Sequence, residues 1–86
     1  MFEGKVIVKN KIGLHARPAA RVVSEGSKFK SNMTIKKGEK VVNMKSLLGV
    51  LSLGAMCGDE ITVIAEGEDE VAAVEAVIKL IETLEE

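Results

Sequence analysis

The chain has 86 residues, one cysteine, one histidine, two aromatic side chains and a formal charge of −1. That length suits one small domain with one core, expected to span residues 1–86. A domain this small buries only roughly 60–65% of its unfolded surface, so chemistry belongs on an exposed patch facing partner proteins rather than in a deep cleft. One Cys and one His exclude an intrachain disulfide and an ordinary zinc cluster, and no cofactor is expected. No run approaches the ~20 apolar residues of a membrane span, and the start lacks signal-peptide features. A cytoplasmic location without membrane insertion is expected.

The small net charge conceals an asymmetry. Residues 1–45 carry eleven Lys/Arg against three glutamates, a net +8; residues 46–86 carry one lysine against ten acids, a net −9. Such a dipole steers encounters with an acidic partner, or simply separates two solvated faces. Without aromatic interleaving or a binding motif, direct nucleic-acid binding is not expected.

Residues 2–9 alternate, with Phe2, Gly4, Val6 and Val8 on one face, and read as a strand broken in pattern only by Ile7. A loop from Asn10 to Leu14 leads to a helix reaching about Ser27, with Ala19, Val22, Val23 and Gly26 inward. Pro18 suits a first turn, but the residue before a proline resists helical dihedrals. The start therefore lies at Ala16 or Pro18. Phe29 is expected to anchor the core before a strand at Asn32–Lys37. Lys37-Gly38-Glu39 turns the chain into a short strand, Lys40–Asn43. A compact helix at about Ser46–Leu53 ends at Gly54, and a strand at Glu60–Glu66 is broken by Gly67. The last helix, from about Asp69, carries Val71, Val74, Val77, Ile78, Ile81 and Leu84 on an apolar stripe. The order β-α-β-β-α-β-α is that of a two-layer α+β sandwich.

Two segments carry chemistry. In Gly13-Leu14-His15-Ala16-Arg17-Pro18-Ala19-Ala20 the only histidine precedes a helix N-terminus, where unpaired amides and a partial positive charge welcome an anion. Arg17 offers a guanidinium that could grip phosphoryl oxygens with several donors. A lone His at such a place also serves as an ordinary cap or a solvated surface residue. The second segment is Asn43-Met44-Lys45-Ser46-Leu47-Leu48-Gly49-Val50-Leu51-Ser52-Leu53-Gly54. Ser46 is placed to cap the short helix, and a helix start also tolerates a phosphoserine. Leu47, Leu48, Val50, Leu51 and Leu53 cannot all face one core from so short a helix. Some must be exposed, as at an interface.

Together the two segments resemble one family over essentially the whole chain: HPr, the histidine-containing phosphocarrier of the bacterial sugar phosphotransferase system. Gly13–Ala19 resembles its phosphorylation motif, Lys45–Gly54 its regulatory serine segment, and Gly67-Glu68-Asp69-Glu70 the lead into its last helix. The resemblance implies an open-faced sandwich, a four-stranded antiparallel sheet covered on one face by three helices. It implies that the δ nitrogen of His15 takes a phosphoryl group from enzyme I and passes it to IIA domains of sugar permeases. Arg17 then balances the charge. It further implies that Ala16, Ala20, Leu47, Leu48 and Leu51 meet partners and that the protein is a monomer and carrier, not an enzyme. The Ser46 segment is similar to the Gram-positive type, in which an HPr kinase/phosphorylase modifies the serine and a catabolite-control regulator binds the product.

Leucines stand at 47, 48 and 51 where many members carry methionine, and Arg21 and Cys57 match no family role. Cys57 is expected to be a small packing residue. The complete absence of Gln, with abundant Lys and Glu, leans toward a thermophilic source. Three alternatives remain: a module of this fold acting only through Ser46, a small ligand-binding regulatory domain with an incidental histidine, and an autonomous enzyme. The last lacks any triad or acid–base pair.

Overall fold

The computed structural model describes residues 1–85; Glu86, counted above among the acids of the second half, lies outside them. Strands β1 (Phe2–Ile7), β2 (Asn32–Lys37), β3 (Lys40–Asn43) and β4 (Glu60–Glu66) alternate with helices α1 (Ala16–Gly26), α2 (Leu47–Ser52) and α3 (Glu70–Glu82) in the expected order. The four strands form one antiparallel sheet in the order β1-β4-β2-β3. The three helices pack on one face, giving the open-faced α+β sandwich.

Register explains which face is covered. Gly4, Val63, Ile35 and Val42 lie side by side across the four strands. Val63 and Ile35 are fully buried under the helices. On the opposite face, Lys5, Thr62, Lys36 and Val41 form a row open to solvent. Full burial of side chains such as Ile35, Ile61 and Ile81 contributes about 1.5–3 kcal/mol each. Gly4 permits α3 to come close: a Cβ there would stand 2.5 Å from Ile78 Cδ1.

The β2–β3 hairpin pairs Lys37 with Lys40 across a two-residue loop, Gly38-Glu39. Only Gly38, at φ +61°, takes the left-handed region, as the first position of a type II′ turn requires. The loops before β2 and before α3 are clasped together by Asp69. Its carboxylate accepts the backbone amides of Lys30 (2.9 Å) and Ser31 (3.0 Å) and the buried Ser31 hydroxyl. These bonds, the Ser31 hydroxyl foremost, hold the Asp69 carboxyl below the ordinary range.

Several expectations are corrected. β1 ends at Ile7, although Val8 continues the buried alternation outside the ladder. α1 begins at Ala16 and ends at Gly26, because the His15 carbonyl accepts the Ala19 amide (2.9 Å) and closes the first turn around Pro18. α2 proper is Leu47–Ser52, flanked by Ser46 and Leu53 as caps. Phe29 is half-buried at the rim of the core rather than inside it. Val71 is 46% exposed, since α3 turns only Ala73, Val74, Val77 and Ile81 fully inward.

Candidate functional site

The loop ahead of α1 is a reverse turn built from its own backbone. The Gly13 amide donates to the Asn10 carbonyl (3.2 Å), and Asn10 Nδ2 donates back to the Gly13 carbonyl (2.7 Å). Gly13 has φ +80° and leaves no room for a side chain, because a Cβ would meet the Ala55 carbonyl and stand 2.7 Å from Met56 Cα. Leu14 is buried, and its amide donates to the Ala55 carbonyl at 2.9 Å. The chain is thus fixed on both sides immediately before the histidine.

His15 is the N-cap of α1, with extended backbone dihedrals and no side-chain cap hydrogen bond. Its ring is half-buried, and Nδ1 lies 3.5 Å from the Gly13 carbonyl, the outer limit of a hydrogen bond. Ala16, Arg17, Ala20 and Arg21 are all exposed along the first turns. The amides of Ala16 and Arg17 sit where a helix supplies no internal acceptor, and Pro18 removes the next donor altogether. An anion at His15 would therefore meet the positive end of the α1 dipole, with Arg17 exposed two residues further on.

The serine segment is capped as its sequence predicts. Ser46 Oγ accepts the Gly49 amide at 3.1 Å, and the Ser46 amide donates to the Asn43 carbonyl at 3.1 Å. Lys45 Nζ donates to the Phe29 carbonyl at 2.8 Å, fastening this segment to the loop between α1 and β2. Val50 and Leu53 turn inward, Leu47 is 42% exposed, and Leu48 at 80% is almost wholly in solvent. Leu51 is half-buried.

The two segments converge at the far end of α2. Leu51, Gly54, Ala55 and Met56 line a shallow depression of about 250 Å³ together with His15, Leu14 and Ile12. Ser46 stands at the opposite end of this six-residue helix, about 9 Å along its axis. Ile12 and Met56, 59% and 63% exposed, extend the apolar rim. Of the three leucines expected to meet partners, Leu51 thus borders His15, whereas Leu47 and Leu48 lie with Ser46 at the other end of α2.

Four residues that the sequence reading passed over support this site. Asn10 shapes the turn, and its spacing to Gly13 is the pattern of a side chain closing a turn on its own backbone. Lys40 Nζ donates to the Ser52 carbonyl at 2.6 Å and Lys37 Nζ to the Gly54 carbonyl at 3.0 Å. Both satisfy acceptors at the C-terminal end of α2. Asp59 accepts the Met56 amide at 2.8 Å and pairs with Lys37 at 3.0 Å. The Met56 amide first, and then Lys37, lower its carboxyl below the ordinary range. Cys57, expected to pack, is instead exposed, with only a weak contact from Sγ to the Lys9 carbonyl at 3.6 Å. Among the described residues, no helix is long and apolar enough to cross a membrane.

A family model described as "PTS HPr component phosphorylation site" matches residues 2–83. The HPr-like protein Crh of Halalkalibacterium halodurans is 50% identical over 95% of this chain and 98% of its own. The phosphocarrier protein HPr of Xylella fastidiosa is 46% identical over 95% of this chain and 92% of its own. Among solved structures, HPr-C-His from Thermoanaerobacter tengcongensis superposes with TM-score 0.93 at 47% identity, covering 96% of this chain and 93% of that one. An HPr dimer from the same organism superposes at 0.77, also with 47% identity, covering 96% and 95%. With the turn–histidine–helix and capped-serine segments both in place, the chain belongs to the HPr family of phosphotransferase-system phosphocarrier proteins.

Proposed function

We propose that this protein accepts a phosphoryl group on His15 from phosphorylated enzyme I and donates it to IIA domains of sugar permeases, in the cytoplasm and as a monomer. The observation that carries the reading is His15 at the N-cap of α1 with a ring uncommitted to capping. In the transfer, the Nδ1 lone pair forms the N–P bond as the donor's bond to phosphorus breaks. The helix end and Arg17 balance the charge that arrives. A shallow, solvent-facing site holds the group through transit and releases it to a second partner. Ala16, Ala20, Leu47, Leu48 and Leu51 meet both partners, and the protein is a carrier rather than a catalyst.

Ser46 is the regulatory site in this reading, modified by an HPr kinase/phosphorylase and then recognised by a catabolite-control regulator. Phosphate on its hydroxyl meets a favourable helix end yet places a dianion beside Leu47 and Leu48. Acidic partner surfaces are then repelled.

A second reading, a regulatory module acting through Ser46 alone, is favoured by the 50% identity to a protein named Crh. Discharge of the phosphorylated protein by a purified IIA domain separates the two. Loss of label from the carrier with its appearance on the IIA domain supports the first; label that never moves supports the second. The dimer known for a 47% identical relative makes the solution mass a necessary companion measurement.

A further inference from the structure

Lys37, at the end of β2 beside the hairpin, reaches the segment that follows α2. Its ammonium donates to the Gly54 carbonyl at 3.0 Å and pairs with Asp59 Oδ2 at 3.0 Å. The same carboxylate oxygen accepts the Met56 amide at 2.8 Å, and the Asp59 amide returns to the Met56 carbonyl at 2.9 Å. One ion pair therefore holds the residue before Ala55 by its carbonyl and the residue after it by its amide. Between them, the Ala55 carbonyl receives the Leu14 amide at 2.9 Å, one residue ahead of His15. Gly13 fills the remaining space so closely that a Cβ would lie 2.7 Å from Met56 Cα. The histidine loop cannot shift without displacing Ala55.

We propose that Lys37 and Asp59 are positioning residues for phosphoryl transfer, setting the placement of His15 through the Gly54-Ala55-Met56 backbone without touching its ring. The inference rests on the reading of His15 as phosphoryl acceptor. Both side chains are about a third exposed (34% and 33%), a setting in which an ion pair adds little to global stability. Their arrangement bears instead on geometry, and transfer rates are steeply sensitive to sub-ångström placement of reacting groups. Lys40 secures the Ser52 carbonyl separately, so the end of α2 stays held when Lys37 is removed.

The test compares Lys37→Ala, Asp59→Ala and Lys37→Arg with Lys28→Ala, which breaks an unrelated surface pair with Glu25. Two quantities are read: the rate of phosphoryl acceptance against carrier concentration, and hydrogen exchange at the Leu14 amide. In both Lys37→Ala and Asp59→Ala the maximal rate should fall about three- to tenfold, with KM within about twofold of wild type. Exchange at Leu14 should quicken about tenfold while that at the Val50 amide, bonded to the Ser46 carbonyl, stays put. Lys37→Arg should restore most of both, and Lys28→Ala should alter neither. Unchanged exchange at Leu14, or an equal rise at Val50, overturns the proposal. So does an unchanged maximal rate. If wild type accepts no phosphoryl group, the carrier reading fails by itself, and Leu14 exchange still decides whether Lys37 and Asp59 fix the loop.

Discussion

Asn10 Nδ2 donates to the Gly13 carbonyl at 2.7 Å, and His15 Nδ1 stands 3.5 Å from the same oxygen. The asparagine occupies the better of the two approaches and leaves the ring nitrogen weakly engaged. Nδ1 can then present its lone pair rather than an N–H. Asn10→Ala should hand the carbonyl to the ring, raise the share of the Nδ1–H tautomer and slow phosphoryl acceptance. It should also cost about 0.5–1.5 kcal/mol, because a 2.7 Å hydrogen bond gives way to a longer one from the ring. Ring 15N NMR with denaturant titration checks both; unchanged tautomer populations would refute the link.

Gly13 and Gly38 share a positive φ, +80° and +61°, but only Gly13 faces protein backbone. Gly38→Ala should cost about 1 kcal/mol, the strain of a left-handed alanine. Gly13→Ala should exceed it clearly, since Ala55 and Met56 must move as well. Urea midpoints of the two variants measure the difference, and equal costs would mean that the Gly13–Ala55 contact is slack.

The lowered Asp69 carboxyl gives stability an acid limb. Its charged form is favoured by folding, so its contribution is complete above the ordinary carboxylate range. It is lost as the pH falls below about 4, through the still lower value of the folded protein. Glu70, lowered by the Gly67 amide and then by the N-terminal ammonium, adds in the same sense. Asp69→Asn should be less stable near neutrality and show a shallower acid fall. Thermal midpoints taken from pH 7 to 3 report this, and parallel curves for the two proteins would exclude Asp69 as a contributor.

Capping and regulation at Ser46 are separable. Ser46→Ala removes the acceptor for the Gly49 amide and should cost about 1 kcal/mol, with phosphoryl acceptance intact. Ser46→Asp keeps a capping oxygen but adds charge beside Leu47 and Leu48, and should slow acceptance from enzyme I. Denaturation curves and initial rates on the two variants form one experiment. Equal rates for Ser46→Asp and wild type would remove the electrostatic account of regulation.

The order of elements, the covered face, the loop ahead of His15 and the Ser46 cap are legible because each has a local signal. Strand alternation marks the sheet, Gly38 and Gly54 punctuate it, and Ser46 begins an apolar run as a capping residue does. The misplacements share a different origin. Val71 follows the helical period yet is exposed in the first turn of α3, so periodicity alone does not fix its face. Residue type alone points Cys57 toward packing, whereas the tight Met56–Asp59 turn holds it outward. Lys37 and Asp59 are twenty-two residues apart in sequence, and only the register of β2 against β4 brings them together. No local pattern announces such a pair. The loop that carries His15 was therefore readable, and what holds it was not.

In the proposed function, His15 carries the phosphoryl group. Its most direct test is the intact mass after incubation with enzyme I, magnesium and phosphoenolpyruvate, run beside His15→Ala. Wild type should gain one phosphoryl group, lost on mild acid treatment and absent from the variant. No gain in wild type, with the same enzyme I active on another HPr, would contradict it; so would an equal gain in His15→Ala.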